Sequence, residues 1–195
     1  MPLHQRPDAE QEEDLAFIEE SPAVLGRPAS GPCGRDVTRD RWADLIGLAA
    51  AGADRIALCV PSSSRAAAEL ERRCLGTGLV QVPTDPSLSI DGVRRAVHPS
   101  APRQRPIRAV VIEGLKTAGA VLERLEAIDP GTARAVSVET SFGEGGRGAD
   151  FGALDQGLRR HGLELFQVYD QVRSPKGGLV SAHAIYVRPA LVDLS

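Results

Sequence analysis

The chain has 195 residues, 42% of them hydrophobic and 25% charged, with a net charge of −3. That composition suits one globular domain with a single core. It excludes a chain too polar to fold, and no apolar run approaches the ~20 residues that span a bilayer.

Charge is uneven along the chain. Residues 1–20 hold seven acids and one arginine, Arg6, a local charge of −6, so the remainder carries about +3. The sequence therefore divides into an acidic, partly disordered segment, 1–35, and a single α/β domain, 36–195. The acidic start has no apolar signal core, so a cytoplasmic protein is expected. A mildly basic body with two tyrosines and one tryptophan lacks the stacking platforms of a nucleic-acid binder. Cys33, Cys59 and Cys74 form no C-x-x-C pair, and His4, His98, His161 and His183 show no ligand spacing. A disulfide framework and a metal site are both disfavoured.

In chain order, Leu15 to Ile18 can start a short helix that Pro22 stops. Trp42, Leu45, Ile46 and Ala49 fall on one helical face, ending near Gly52. RIALCV (55–60) reads as a strand buried on both faces. A turn and a Ser64 N-cap follow, then a helix over 65–74 with Ala67, Leu70 and Cys74 inward. LVQVP (79–83) is the next strand. The proline-rich stretch 84–106 predicts a loop with at most a helical turn near 91–97. IRAVVI (107–112) is a strand, and Ala118, Val121, Leu122 and Leu125 mark a helix stopped by Pro130. ARAVSVE (133–139) is a strand, and 143–148 is a glycine-rich loop. Asp150 caps a helix closed by Gly162 at C′. LELFQVYD (163–170), the turn SPKGG (174–178) and HAIYV (183–187) form a terminal hairpin.

Strand and helix alternate four times before the hairpin. That pattern implies a mostly parallel sheet with helices on both faces.

Residues 107–189 resemble the C-terminal half of FkbM-type S-adenosylmethionine-dependent methyltransferases. The matching pieces are VVIEG (110–114), LERL (122–125), VETSF (138–142), RRHGLELFQVYD (159–170) and SAHAIYVR (181–188). Their order over about eighty residues carries the resemblance, not any one piece. The resemblance implies a three-layer Rossmann-like methyltransferase fold with a C-terminal antiparallel hairpin. In it, residues 55–73 resemble the family's second strand and helix, and GPCG (31–34) stands where the family has its glycine loop. Four carboxylates of the pattern are missing. Val60 stands where an acid holds the ribose hydroxyls. No strand ending in Asp precedes Gly31, Val111 replaces the acid before the Glu-Gly step, and His183 replaces the aspartate of the last strand.

The resemblance implies S-adenosylmethionine as cofactor and a small molecule or sugar as methyl acceptor, through a hydroxyl. Gly31 and Gly34 are candidates for close backbone approach, with a plain turn as the alternative. Pro61, Ser62 and Ser63 open a helix and can present N–H groups to a ligand, or simply cap it. Asp85 can meet an adenine amino group, or serve as a turn residue ahead of Pro86. Glu113, ending a buried strand beside Gly114, and Glu139, ending the next, are the candidate catalytic acids. The alternatives are a helix N-terminal carboxylate and an arginine partner. His183, at the start of the last strand, reads as an exposed hairpin residue, with a base as the alternative.

A phosphate-binding loop, a nicotinamide dehydrogenase and a serine hydrolase are disfavoured, because G-K-[ST], a strand-linked G-x-G-x-x-G and G-x-S-x-G are absent. The competing expectation is a methyltransferase-like protein that no longer binds the donor and serves as a scaffold or partner subunit. The sequence is compatible with a homo- or hetero-oligomer.

Overall fold

The structure, a computed structural model, describes residues 40–49, 55–61, 64–73, 78–85, 89–98, 105–129, 131–143 and 146–192. The acidic segment 1–35, with Gly31 and Gly34, lies outside the described residues, as do Ser62, Ser63 and Cys74.

The elements run α1 (Arg41–Ala49), β1 (Arg55–Cys59), α2 (Arg65–Arg73), β2 (Gly78–Gln81), α3 (Ile90–Val97), β3 (Ile107–Ile112), α4 (Ala118–Ile128), β4 (Ala135–Ser141), β5 (Ala149–Asp150), α5 (Phe151–Arg160), β6 (Glu164–Arg173) and β7 (Leu179–Val187). The main sheet order is β2-β1-β3-β4-β7-β6, with the two-residue β5 paired to β4. β1, β2, β3 and β4 are mutually parallel, and β7 runs antiparallel between β4 and β6. β1 and β3 are continuous apolar runs because both of their faces are covered.

The two faces have separate cores. On one, Leu45 and Ala49 of α1 and Ala66 and Leu70 of α2 pack on Ile56, Leu58, Ala109 and Val111. On the other, Val93 and Val97 of α3, Leu125 and Ile128 of α4, and Leu154 and Leu158 of α5 pack on Val110, Ile112, Val136 and Val138. The fold is thus a three-layer, Rossmann-like α/β/α sandwich with a C-terminal antiparallel hairpin.

Several elements depart from expectation for local reasons. Residues 90–97 form a full helix, not a single turn. The Ser89 side chain accepts the Gly92 N–H at 3.2 Å, and Val93 and Val97, four apart, bury one face. In α2 the fully buried positions are Ala66 and Leu70, with Ala67 only partly covered. β4 begins at Ala135 and reaches Ser141, because Thr140 and Ser141 pair with β5. β7 begins at Leu179, so His183 lies mid-strand and is not an exposed hairpin tip.

The predicted cap of α5 is present in full. Asp150 accepts the Ala153 N–H at 2.9 Å, and at the other end Gly162 adopts φ 72°. Leu163 N–H donates to Leu158 C=O and Gly162 N–H to Arg159 C=O, the paired bonds of a Schellman ending.

Two glycines predict opposite responses. Gly47 lies in α1, where an added Cβ meets nothing within 4 Å. Gly148 has φ +85°, and its Cβ would fall 2.3 Å from the Glu139 carbonyl oxygen. In denaturant titrations, Gly47→Ala should stabilise by roughly 0.5–1 kcal/mol. Gly148→Ala should destabilise by about 1–3 kcal/mol.

Candidate functional site

The strand order fixes where a ligand crevice can form. β1 is followed by β2 on one side, and the chain then crosses back to place β3 on the other side of β1. In open α/β sheets, ligands bind outside the carboxyl ends of the strands at this reversal of direction. Here the reversal lies between β1 and β3.

This topology corrects the alignment of residues 55–73 with a second strand. β1 pairs directly with β3, so no strand stands between them, and residues 55–59 take the position of the first strand. Among the described residues, the first strand-to-helix connection therefore runs from Pro61 to Ser64. The strand beside it is β2, and the acid that follows β2 is Asp85, which is exposed. Val60, directly after the first strand, is a buried core residue, so its lack of a carboxyl says nothing about a ribose partner.

At the carboxyl end of β3, Glu113 carries on the alternation of Ala109 and Val111, which pack toward α1 and α2. Its main-chain N–H donates to the Cys59 carbonyl at 3.0 Å, extending the β1–β3 pairing to the edge of the sheet. Its carboxylate is held from three directions. Arg41, the first residue of α1, donates Nη2 to Oε1 at 3.2 Å. Ser64, the N-cap of α2, donates Oγ to Oε2 at 2.8 Å while accepting the Ala66 N–H at 3.1 Å. His183 of β7 places Nε2 3.3 Å from Oε1.

The second carboxylate of the group is Asp170. The β6 register shifts between Tyr169 and Val172, and Asp170 takes φ 48° within that bulge. A bulge of this kind re-aims a side chain, and aspartate tolerates the left-handed conformation better than most residues. The Asp170 carboxylate lies 3.3 Å from both His183 Nδ1 and Arg41 Nε. Neither N–H is aligned for a hydrogen bond, so these are charge contacts. Arg41 also stacks on Trp42, its guanidinium carbon 3.9 Å from the ring centroid.

Two cations and two carboxylates thus meet at the top of the α1 layer. Arg41 and Glu113 are only 7% and 12% exposed. Burial disfavours charge on His183, and Arg41 adds to that, but Asp170 and Glu113 outweigh both and raise its pKa above the ordinary 6.5. Burial also pushes the Glu113 carboxyl upward. His183, Arg41 and Ser64 override it and hold Glu113 below its ordinary 4.5. With a carboxylate facing each ring nitrogen, His183 is placed to carry both N–H protons.

Glu139 lies opposite His183 in the β4–β7 register, and its Oε2 accepts the Gly114 N–H at 3.0 Å. The sheet thus brings together Glu113, Glu139, Ser64 and Pro61, whose ring reaches within 2.8 Å of where a Gly114 Cβ would sit. Asp85 follows β2 in the same edge of the sheet, and its main-chain carbonyl accepts from Arg124 Nη2 at 3.1 Å. Sequence reasoning missed Arg41, Asp170 and the true setting of His183. Only Asp170 left a trace, as the last residue of FQVYD.

A cavity of about 640 Å³ opens at the opposite, amino-terminal edge, among Arg94, Arg95, His98, Asp129, His161 and Arg188. Two of its cations, His98 and Arg188, are engaged by main-chain carbonyls and Asp129. His98 bonds the Ile128 carbonyl, and Arg188 bonds the carbonyls of Ala133 and His161 and the Asp129 carboxylate. We place the site at the carboxyl edge instead. Among the described residues, no group of three or more His, Cys, Asp or Glu is arranged to hold a metal ion, and no helix is long and apolar enough to cross a membrane.

No protein-family model matches the chain, and no curated protein matches it either. Among solved structures it is similar to the 1,6-didemethyltoxoflavin-N1-methyltransferase of Burkholderia thailandensis, with bound 1,6-didemethyltoxoflavin and S-adenosylhomocysteine. That match has 14% identity, 75% of each chain covered and a TM-score of 0.46. It is also similar to LepI in complex with SAM, with 14% identity, 76% of this chain and 46% of that one covered, and a TM-score of 0.44. A third is a pericyclic reaction enzyme, with 12% identity, 82% and 50% covered, and a TM-score of 0.46. The chain spans about half the length of the last two.

The charge group makes stability depend on pH in both directions. His183, with its pKa raised, contributes fully below 6.5 and loses that contribution as pH climbs through its folded-state value. Glu113 and Asp170, with pKa values lowered, contribute fully above 4.5 and 3.8 and lose it as pH falls through their folded-state values. Thermal unfolding should therefore be most resistant between about pH 5 and 6.5. His183→Gln should flatten the decline on the alkaline side; a parallel decline in this variant would remove His183 from the account.

Proposed function

We propose that the chain is a methyltransferase of the S-adenosylmethionine-dependent kind, resembling the FkbM type, that holds its donor across the carboxyl ends of β1 and β3. The observation that carries this reading is the strand order, which puts the reversal point between these two strands and Asp85 at the end of the neighbouring β2. An exposed carboxylate after β2 suits a pair of ribose hydroxyls. The N-terminus of α2, reached through Pro61, suits a polar or anionic group. Gly114, exposed at φ +80°, offers close backbone approach from the β3 side.

When bound, S-adenosylmethionine supplies an electrophilic methyl group, and the protein's part is to orient the acceptor and receive its proton. The two candidate acids divide that work. Both oxygens of Glu113 are committed to Arg41, Ser64 and His183, so Glu113 anchors the walls of the crevice. Glu139 spends one oxygen on the Gly114 N–H and is the better-placed base for an acceptor hydroxyl of a small molecule or sugar.

A second reading draws on a specific observation. The turn after β1 begins with Pro61, packed against Gly114, where donor-binding folds have glycines. On that reading the chain keeps the architecture and acts as a scaffold or partner subunit, in a homo- or hetero-oligomer.

Calorimetric titration separates the two. Binding of S-adenosylhomocysteine with Kd of about 100 μM or tighter, roughly −5.5 kcal/mol, is the expected result. Asp85→Ala should weaken it by about tenfold or more, as loss of a charged hydrogen-bond acceptor does. The absence of heat and of any thermal shift at millimolar ligand would leave only the scaffold reading.

A further inference from the structure

A cleft of about 190 Å³ lies between α3 and α4, lined by Ile90, Val93, Leu115, Ala120, Arg124 and Ala127. Two charged side chains, Glu123 and Arg124, interrupt its apolar walls. Arg124 is only 8% exposed, yet its one hydrogen bond among the described residues goes from Nη2 to the neutral carbonyl of Asp85. Its Nη1 is buried without a hydrogen-bond partner among the described residues. A guanidinium is always charged, and burying it without a counter-charge is costly. Two other cations of the fold show the usual solution. Arg41 meets Glu113 and Asp170, and Arg188 meets Asp129. Glu123, the acid of the cleft lining, is exposed to solvent at the rim.

We propose that this cleft binds a small planar carboxylate, with the buried guanidinium of Arg124 as its charge partner. Shape and charge point the same way. An apolar cavity of about 150 Å³ accepts a benzene ring, so this one has room for a ring bearing one small substituent. A planar guanidinium matches a carboxylate better than a hydroxyl or amide, because the contact is charge-assisted and two-pronged. Val93, Leu115 and Ala120 cover the ring faces, and Ile90, among the few large apolar side chains left exposed, stands at the entrance. The cleft lies on the α3–α4 face of the sheet, whereas Glu113 and His183 lie toward α1. The cleft adjoins the proposed donor crevice through Arg124 on the Asp85 carbonyl and Leu115 beside Gly114, but its charge partner is Arg124 alone, so benzoate binding is expected whether or not S-adenosylhomocysteine binds.

The test uses the full chain, labelled for NMR, with benzoate as probe and benzyl alcohol as its uncharged counterpart. Benzoate should shift the signals of Val93, Leu115 and Ala120 saturably, and benzyl alcohol should bind roughly tenfold more weakly or worse, a difference of about 1.4 kcal/mol. Arg124→Met should stay folded, unfold at the same or a higher temperature, and lose the preference for the carboxylate. Leu115→Trp, which fills the cleft and keeps the arginine, should abolish benzoate binding and covers the case in which Arg124→Met does not fold. The proposal is overturned if benzoate causes no saturable shift at tens of millimolar. It is equally overturned if benzyl alcohol matches benzoate, or if either variant binds benzoate as the parent does.

Discussion

Glu113 is the residue on which the carboxyl edge of this molecule depends. It sits where β3 leaves the sheet, and its buried carboxylate takes a hydrogen bond from the first residue of α1 and another from the cap of α2. Without a carboxylate there, Arg41 would lose its best-aligned partner in a position almost closed to water. Breaking a buried pair in this way costs about 3–5 kcal/mol, more than most single contacts in a domain of this size. His183 and Asp170 extend the group to the hairpin, so α1, α2, β3, β6 and β7 are tied together by charge at one end of the sheet. Below that end, α1 is held by ordinary apolar packing of Leu45 and Ala49, and by the Tyr169 hydroxyl donating to Asp44 at 2.6 Å.

This arrangement changes what the candidate acids mean. Seen in sequence, an acid-Gly step after a buried strand suggests a group aimed into a crevice. In the fold, Glu113 is aimed there but fully engaged, and its low pKa makes it a poor proton acceptor at neutral pH. Glu139, one strand further, shares the neighbourhood but not the same density of partners. On the proposed reading, Glu113 organises the crevice and Glu139, with one oxygen on the Gly114 N–H, is left to meet the acceptor.

The architecture was legible because its signals are local. Continuous apolar runs marked β1 and β3, and Asp150 and Gly162 marked both ends of α5. The strand order was not legible, because pairing of β1 with β3 is a contact across some fifty residues that no periodicity encodes. That single unknown aligned residues 55–73 with a second strand and turned Val60 into a missing acid. The charge group was hidden for the same reason. Arg41 and Glu113 are 72 positions apart, and Asp170 joins them through a bulge that alternation does not predict. Helix α3 was hidden differently: its flanking prolines read as loop, while the burial of Val93 and Val97 that stabilises it is a tertiary effect.

A double-mutant cycle on Arg41 and Glu113 tests the central claim most directly. Arg41→Met, Glu113→Gln and the double variant are each unfolded in denaturant at pH 6. The account predicts that each single change is strongly destabilising and that the double change costs less than their sum, with a coupling of about 1–3 kcal/mol. Strictly additive losses would contradict it, because they would show that α1 is held to the sheet by packing alone.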